Sequence, residues 1–310
     1  MHVQLTHAIY YAEVHLVFCS VVWLAAWALT SLPGPSATTK HWIWAATALN
    51  FVLPVGAVVD ALFASHISWA TPLGVAGVLG VIISDNSALA ASLAAVWLVG
   101  ALAMLTRLWA RILRERLNNE PVAEALHPEP RFKADGIDVK FDEIGRGPAV
   151  TGLFRSRISL PLGIDRVLSE RELKSVLLHE LTHARRRDNL IRLLYEASLC
   201  ALWFHPLVWL AGSRLALYRE LSCDESVIRE GHGEELVSAL AKLARSDEAS
   251  LLRATASSFL GLRLSRLTSA PPSKPRFLAN ALLSACFAVA LAAGILATIA
   301  HTACCFVAQV

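Results

Sequence analysis

The chain is poor in charge. Asp, Glu, Lys and Arg make up 17% of its 310 residues, against 55% hydrophobic residues. An average soluble domain carries about 25% charged residues, so the composition argues against a protein that is soluble throughout. The net charge of +3 is too small to say much about partners. The six cysteines, Cys19, Cys200, Cys223, Cys286, Cys304 and Cys305, contain no C-x-x-C pair. That excludes a cysteine-cluster metal site and a secreted disulfide framework, and the thiols read as reduced, buried residues. A basic segment ahead of the first apolar stretch is also missing. That stretch is too long for a cleavable signal peptide. No internal repeat is visible.

What is present begins with long apolar runs. Four are long enough to cross a bilayer, which takes about 20 apolar residues. They run from about Ile9 to Leu32, Trp42 to Phe63, Ala88 to Leu108 and Phe277 to Ala300. The second carries Pro54 and Asp60, an acid that is costly inside a membrane and so flags function or an interfacial position. Trp42, Trp44 and Trp109 suit the membrane interfaces. The apolar stretch from Trp69 to Ile83 is short and holds Pro72, Gly74, Gly77 and Gly80, which favours an interfacial or re-entrant loop over a span.

Basic residues set the orientation. Arg107, Arg111, Arg114 and Arg116 follow the third run, and Lys274 and Arg276 precede the fourth. The loop between the second and third runs has neither Lys nor Arg. The positive-inside rule therefore places residues 109–275 in the cytoplasm and both termini outside. The domain expectation is three membrane helices over 1–108 with an apolar outer loop, a cytoplasmic domain over 109–275, and a fourth span with a short tail over 276–310.

Within the central region, Pro121 to Pro130 reads as a linker and Gly136 to Leu162 as short strands. Ile137, Val139 and Phe141 alternate with polar residues before the Gly145-Arg146-Gly147-Pro148 turn. Ser169 and Glu172 form a capping box for the helix that follows. An apolar-periodic run from Ser175 to Leu194 then carries His179-Glu180-Leu181-Thr182-His183. Helices are expected from about Leu190 to Arg229 and from Glu234 to Ala244.

Residues four apart share a helical face, so His179 and His183 can aim at one zinc ion, with Glu180 beside them as general base. A catalytic zinc takes a third protein ligand, and the best candidate is Glu220, with Asp224 one turn on to accept a hydrogen bond from the outer N–H of a liganding histidine. The competing interpretation is a helix whose carboxylates pair with nearby arginines on the surface. His205, in an apolar stretch, reads as a packed core residue, His232 between two glycines as an exposed turn, and His127 as a weaker ligand. Cys223 is expected to be a small buried packing residue. Tyr218, Arg219 and His205 are candidates for stabilising an oxyanion. Arg185-Arg186-Arg187 reads as a solvated face or a contact with lipid headgroups. Nothing calls for direct nucleic-acid binding.

Several runs together resemble the BlaR/MecR-type membrane metallopeptidases. They are Gly152-Leu153-Phe154, Ile158-x-Leu160-Pro161, Leu173-x-x-Val176-Leu177-x-His179-Glu180-Leu181-x-His183-x-x-Arg186-x-Asp188, Trp203-Phe204-His205-Pro206-Leu207-Val208-Trp209 and Glu220-Leu221-Ser222-Cys223-Asp224-Glu225. The likeness covers about residues 88–270 well and the first two spans loosely. It implies a mainly α membrane protein: four transmembrane helices of bacterial plasma-membrane type plus a cytoplasmic α+β gluzincin-type zinc peptidase domain with a small sheet. It also implies His179, His183 and Glu220 as zinc ligands, Glu180 as catalytic base, and Ile158, Ser159 and Leu160 as an edge strand that takes an extended peptide. The implied substrate is a protein regulator such as a transcriptional repressor, or the chain itself, with a membrane sensor or a second copy as partner. Self-cleavage near Ser257-Ser258-Phe259 follows only weakly. Only residues 301–310 follow the fourth span, which leaves no room for the penicillin-binding sensor domain of the sensor members, so a drug-receptor role is not expected. A non-catalytic signalling protein with a structural zinc module is the main alternative, disfavoured because such a module needs no Glu180. A transporter is less favoured still, for want of inverted repeats.

Overall fold

The computed structural model describes residues 2–52, 87–117, 131–142, 147–245, 252–268, 278–289 and 291–292. The described chain is mainly helical, with one small sheet. Asp60, His127, the stretch from Trp69 to Ile83 and the tail after 292 lie outside the described residues.

Helices α1 (His2–Ser31) and α2 (Ala37–Val52) form the first pair. The α2 helix is capped by the Ser36 hydroxyl, which accepts from the Thr39 N–H at 3.1 Å. Its buried set mixes Ile43, Trp44, Ala48 and Phe51 with Lys40, His41, Thr47 and Asn50. A lipid-facing helix would not bury so many polar groups inward without partners. Here Lys40 Nζ donates to the Leu32 carbonyl at 2.8 Å, Trp44 Nε1 to Thr30 at 3.2 Å and Asn50 Nδ2 to Cys19 Sγ at 3.4 Å.

Helix α3 (Ser87–Leu117) is different. Its window Ala88–Arg114 is long and apolar enough to cross a membrane, and almost none of it is buried. At 1.5 Å per residue these 27 residues reach about 40 Å, more than the roughly 30 Å of a hydrocarbon core. Among the described residues this is the one helix that passes that test. The apolar helices His15–Ser31 and Leu278–Val289 are shorter, so four spans are not established. One face of α3 is pinned to the body. Gly100 lies where a Cβ would overlap the Trp203 indole. Trp97 Nε1 donates to the Ala201 carbonyl at 2.9 Å, and Trp203 Nε1 donates back to the Trp97 carbonyl at 3.2 Å.

The sheet contains β1 (Arg131–Ala134), β2 (Ile137–Asp142), β3 (Ala149–Thr151) and β4 (Arg157–Pro161), in the order β1-β2-β4-β3. Asp135 and Gly136 both take positive φ and close the β1–β2 hairpin in two residues, as a type I′ turn requires. Strand β4 pairs in parallel with β2 and antiparallel with β3.

After the single turn α4 (Ile164–Val167) come α5 (Glu170–Arg186), α6 (Asp188–Ala201), α7 (Pro206–Arg229), α8 (Gly233–Arg245) and α9 (Leu252–Thr268). The expected capping box is present: Ser169 Oγ accepts from the Glu172 N–H, and the Ser169 N–H donates to Glu172 Oε2 at 2.7 Å. The periodic run expected as one helix to Leu194 is two. Arg187 takes φ 56° and ψ 46°, a left-handed corner that costs a non-glycine residue about 1–3 kcal/mol. The second expected helix also divides, at the turn 202–205, into α6 and α7.

Two hydrophobic cores result. The first joins Val22, Trp23 and Ala26 of α1, Trp44, Ala48 and Phe51 of α2, and Val208, Ala211, Leu215 and Leu221 of α7. The second joins Val139, Ile158 and Leu160 of the sheet to Val176 and Leu181 of α5, Val227 of α7, and Leu236 and Ala239 of α8. Helix α7, 24 residues and about 36 Å long, runs through both.

Candidate metal centre

Helix α5 carries His179 and His183 on one face, both buried. Their rings meet edge to face, and their Nε2 atoms approach to 3.2 Å. Glu220 comes from α7, at the junction of the two cores. Its Oε2 is 3.6 Å from His179 Nε2, and its Oε1 is 3.9 Å from His183 Nε2. In a tetrahedral zinc site with bonds of about 2.0–2.1 Å, neighbouring donor atoms sit about 3.3 Å apart. The three separations, 3.2, 3.6 and 3.9 Å, bracket that value, so these atoms can close on one ion with small side-chain movements. Two imidazoles and one carboxylate leave a coordination position for water, the composition of a catalytic rather than a structural site.

His179, His183 and Cys223 form a second compact donor group. The Cys223 sulfur, however, lies 3.5 Å from His183 Nδ1, on the opposite side of the ring from Glu220. Burial pushes the thiol well above its ordinary pKa, which disfavours the thiolate a metal needs. Glu220 is the donor the geometry favours. Burial opposes its ionisation, but the nearby His179 and the charges of His183, Arg219 and Arg263 outweigh it and hold the carboxyl well below its usual range. Arg219 donates to Oε1 from Nε and Nη2 at 3.1 and 3.0 Å.

Each histidine has a carboxylate behind it. Asp188, the first residue of α6, places Oδ2 2.6 Å from His183 Nδ1. The left-handed Arg187 makes this contact, because it swings the chain back so that residue 188 meets a side chain five positions earlier. Arg186 Nε donates to Asp188 Oδ1 at 2.8 Å. Burial works against the Asp188 charge, but Arg186 and His183 overcome it and bring its pKa down to about 2. Asp224 Oδ1 lies 3.2 Å from His179 Nδ1, but the ring nitrogen is not aligned for a hydrogen bond, so the contact is one of charge. Asp224 is instead gripped by Arg263 of α9, whose Nε and Nη2 donate at 2.9 and 2.8 Å. Arg263 Nη1 also reaches Glu220 Oε2 at 3.5 Å. Glu180 is buried on α5 between the two histidines in sequence.

The structure thus brings His179, His183, Glu220 and Asp224 together. It does not give Ile158 and Ser159 a free edge. Strand β4 pairs with β2 along its length and with β3 over Arg157–Ser159, and Ile158 and Leu160 are core residues, so Ile158 and Ser159 cannot accept an added strand. The alternation of these residues was compatible with an inner or an outer strand, and the short β3, which takes the edge, carries little pattern of its own. Arg186 is not on a solvated face: it is buried and donates to Asp188, Ser222 and the Arg219 carbonyl. Arg185 is exposed and pairs with Asp135. His205 lies away from the site beside Ser20 and Phe51, and His232 beside Glu235. Tyr218 directs its hydroxyl to the Thr30 carbonyl on α1.

The residues that sequence reasoning missed are Asp188, Arg186 and Arg263. An acid directly after three arginines looked like a partner in a surface pair. The available signal for Arg186 and Asp188 was the family-like run His183-x-x-Arg186-x-Asp188, from which no role was read.

The family model of the BlaR1 peptidase M56 matches residues 13–258. The regulatory protein BlaR1 of Bacillus licheniformis is 27% identical over 229 residues, 68% of this chain and 37% of that protein. The methicillin resistance mecR1 proteins of Staphylococcus aureus and Staphylococcus epidermidis are each 26% identical over 99 residues, 32% of this chain and 17% of theirs. The matched region therefore spans well under half of these relatives.

Proposed function

This chain belongs to the BlaR1 peptidase M56 family, and from that premise we propose that it is a membrane-bound zinc endopeptidase that cleaves a regulatory protein at the cytoplasmic face. The observation that carries the proposal is the convergence of His179 Nε2, His183 Nε2 and the Glu220 carboxylate within 3.2 to 3.9 Å of one another. These three residues hold the metal in our reading. Zinc held by these residues would supply a water molecule of lowered pKa and a Lewis acid for the scissile carbonyl. Glu180 accepts the proton of the attacking water and passes it to the departing amine. Asp188 and Asp224 keep the Nδ1 sides of the imidazoles oriented so that both Nε2 atoms face the metal. The basic residues around Arg107 to Arg116 and Lys274 to Arg276 support the cytoplasmic placement of residues 109–275. A relative named a regulatory protein supports a role in regulation, and the substrate in our reading is a regulatory protein such as a transcriptional repressor, or the chain itself.

The test compares wild type, Glu180→Gln, His179→Ala and Glu220→Ala in membranes. Wild type and Glu180→Gln are expected to hold about one zinc per chain. Glu180→Gln is expected to lose proteolysis on the order of 10²–10⁴-fold, the usual weight of a general base. The alanine variants are expected to lose the metal. Full zinc retention in both alanine variants would sink the proposal. A proteomic comparison of cells carrying wild type and Glu180→Gln names the substrate by its missing product.

A further inference from the structure

Helix α2 reaches the back of the site. His41 is fully buried, and neither ring nitrogen has a hydrogen-bond partner among the described residues. Its Nε2 stands 3.7 Å from Asp188 Oδ1, while Asp188 Oδ2 holds His183 Nδ1 at 2.6 Å. One turn earlier, the N–H and hydroxyl of Thr38 donate to Glu225 Oε2 at 3.2 and 3.4 Å, and Glu225 follows Asp224 directly. The α2 helix is thus seated against the residues that stand behind both histidines. A buried imidazole without partners is costly, and the nearest acceptor for its N–H is a carboxylate oxygen only slightly beyond hydrogen-bond reach.

We infer that His41 is a positioning residue for the metal centre: it acts through Asp188 to fix the tilt of the His183 ring. The inference rests on the reading of His183 as a metal ligand. Asp188 has two oxygens and three neighbours. Oδ2 meets His183 Nδ1 and also accepts from Arg186 Nη2, while Oδ1 accepts from Arg186 Nε and faces His41 Nε2. When α2 advances by less than about 1 Å, the His41 N–H closes on Oδ1, and the carboxylate that Arg186 already forks is also tied to α2. A ligating imidazole whose outer carboxylate is held in this way keeps its tautomer and direction, and loss of such outer partners typically weakens metal binding about 10–100-fold. Arg186 belongs to the same helix corner as Asp188 and moves with it. His41 belongs to a different element, so it ties the ring to the first core.

The full-length chain in detergent or nanodiscs provides the test, with zinc alone as probe in competition with a chelator and cobalt as spectroscopic reporter. His41→Leu and His41→Phe remove the donor while filling the space. His41→Gln returns an N–H near the Nε2 position. Thr47→Val, whose hydroxyl bonds the Ile43 carbonyl within α2, controls for general loosening of that helix. The expected result is zinc binding weakened about tenfold and a shifted cobalt spectrum in the Leu or Phe variant, with recovery in Gln and no change in Thr47→Val. If one apolar variant fails to fold, the other carries the comparison. Wild-type zinc affinity and cobalt spectrum in a folded apolar variant would overturn the inference and leave the peptidase reading standing. An equal loss in Thr47→Val would overturn it as well. A wild-type chain that binds no zinc would remove both.

Discussion

The two histidines of the site are held in different ways. His183 is backed by Asp188 at 2.6 Å, five residues along the chain, through a corner built by one left-handed arginine. His179 is backed by Asp224 at 3.2 Å without hydrogen-bond alignment, and Asp224 is itself gripped by Arg263 from α9. The first arrangement is local and tight. The second depends on a helix 39 residues away in sequence docking correctly. One ligand is therefore set as soon as the α5–α6 corner forms, and the other only when the tertiary fold is complete.

The largest effect is expected from breaking the long-range grip. Arg263→Met leaves the buried Asp224 carboxylate without its main partner, and loss of one member of a buried ion pair costs about 3–5 kcal/mol. Urea unfolding of the full-length protein measures this, and a loss below about 1 kcal/mol would mean that His179 satisfies Asp224 by itself. Next comes a direct comparison of the two carboxylates. Asp188→Asn is expected to weaken zinc binding about 10–100-fold, and Asp224→Asn by less, because only Asp188 makes a short aligned bond to its histidine. Chelator competition ranks the two, and the opposite order would reverse the comparison.

The last expected effect is one of pH, and it is small within any single pH unit. In the metal-free site burial lowers the His179 pKa, but Asp224 and Glu220 more than compensate and raise it to about 9. Zinc must displace that proton. Zinc affinity should therefore climb about tenfold per pH unit from neutrality and level off above about 9, whereas Asp224→Asn should bring the plateau to lower pH. The same linkage acts on the metal-free fold. A histidine raised above its unfolded value stabilises the protein below about pH 6.5, and that contribution disappears as pH rises through about 9. A flat zinc profile would show that His179 carries no proton before the metal arrives.

Local signals in the sequence were legible. The Ser169–Glu172 box, the i,i+4 pair His179 and His183, and the carboxylate Glu220 one turn before Asp224 depend on spacing within single helices, and spacing survives folding. Interruptions were not legible. Nothing in Arg185-Arg186-Arg187 marks the third arginine as left-handed, so one helix was expected where there are two. The contacts between elements were also hidden. Lys40, His41, Thr47 and Asn50 lie in or beside the expected second membrane run and drew no reading, yet they face the body of the protein on α2. Strand β4 was expected as an edge from the family resemblance alone, and a strand's own residues do not say what lies on either side of it. In each case the residue type was informative and its partner was not, because the partner is chosen by packing.

Helix α7 has a practical consequence for anyone dissecting the molecule. It works as a tenon driven through two blocks, with Glu220 at the joint. Sawing the chain at residue 109 to harvest the histidine-bearing part would strip Trp44 and Phe51 from Val208, Ala211 and Leu215, leaving a greasy stub next to Glu220, the ligand we propose. A fragment made that way should cling to membranes or to itself, and purification should begin from the uncut chain.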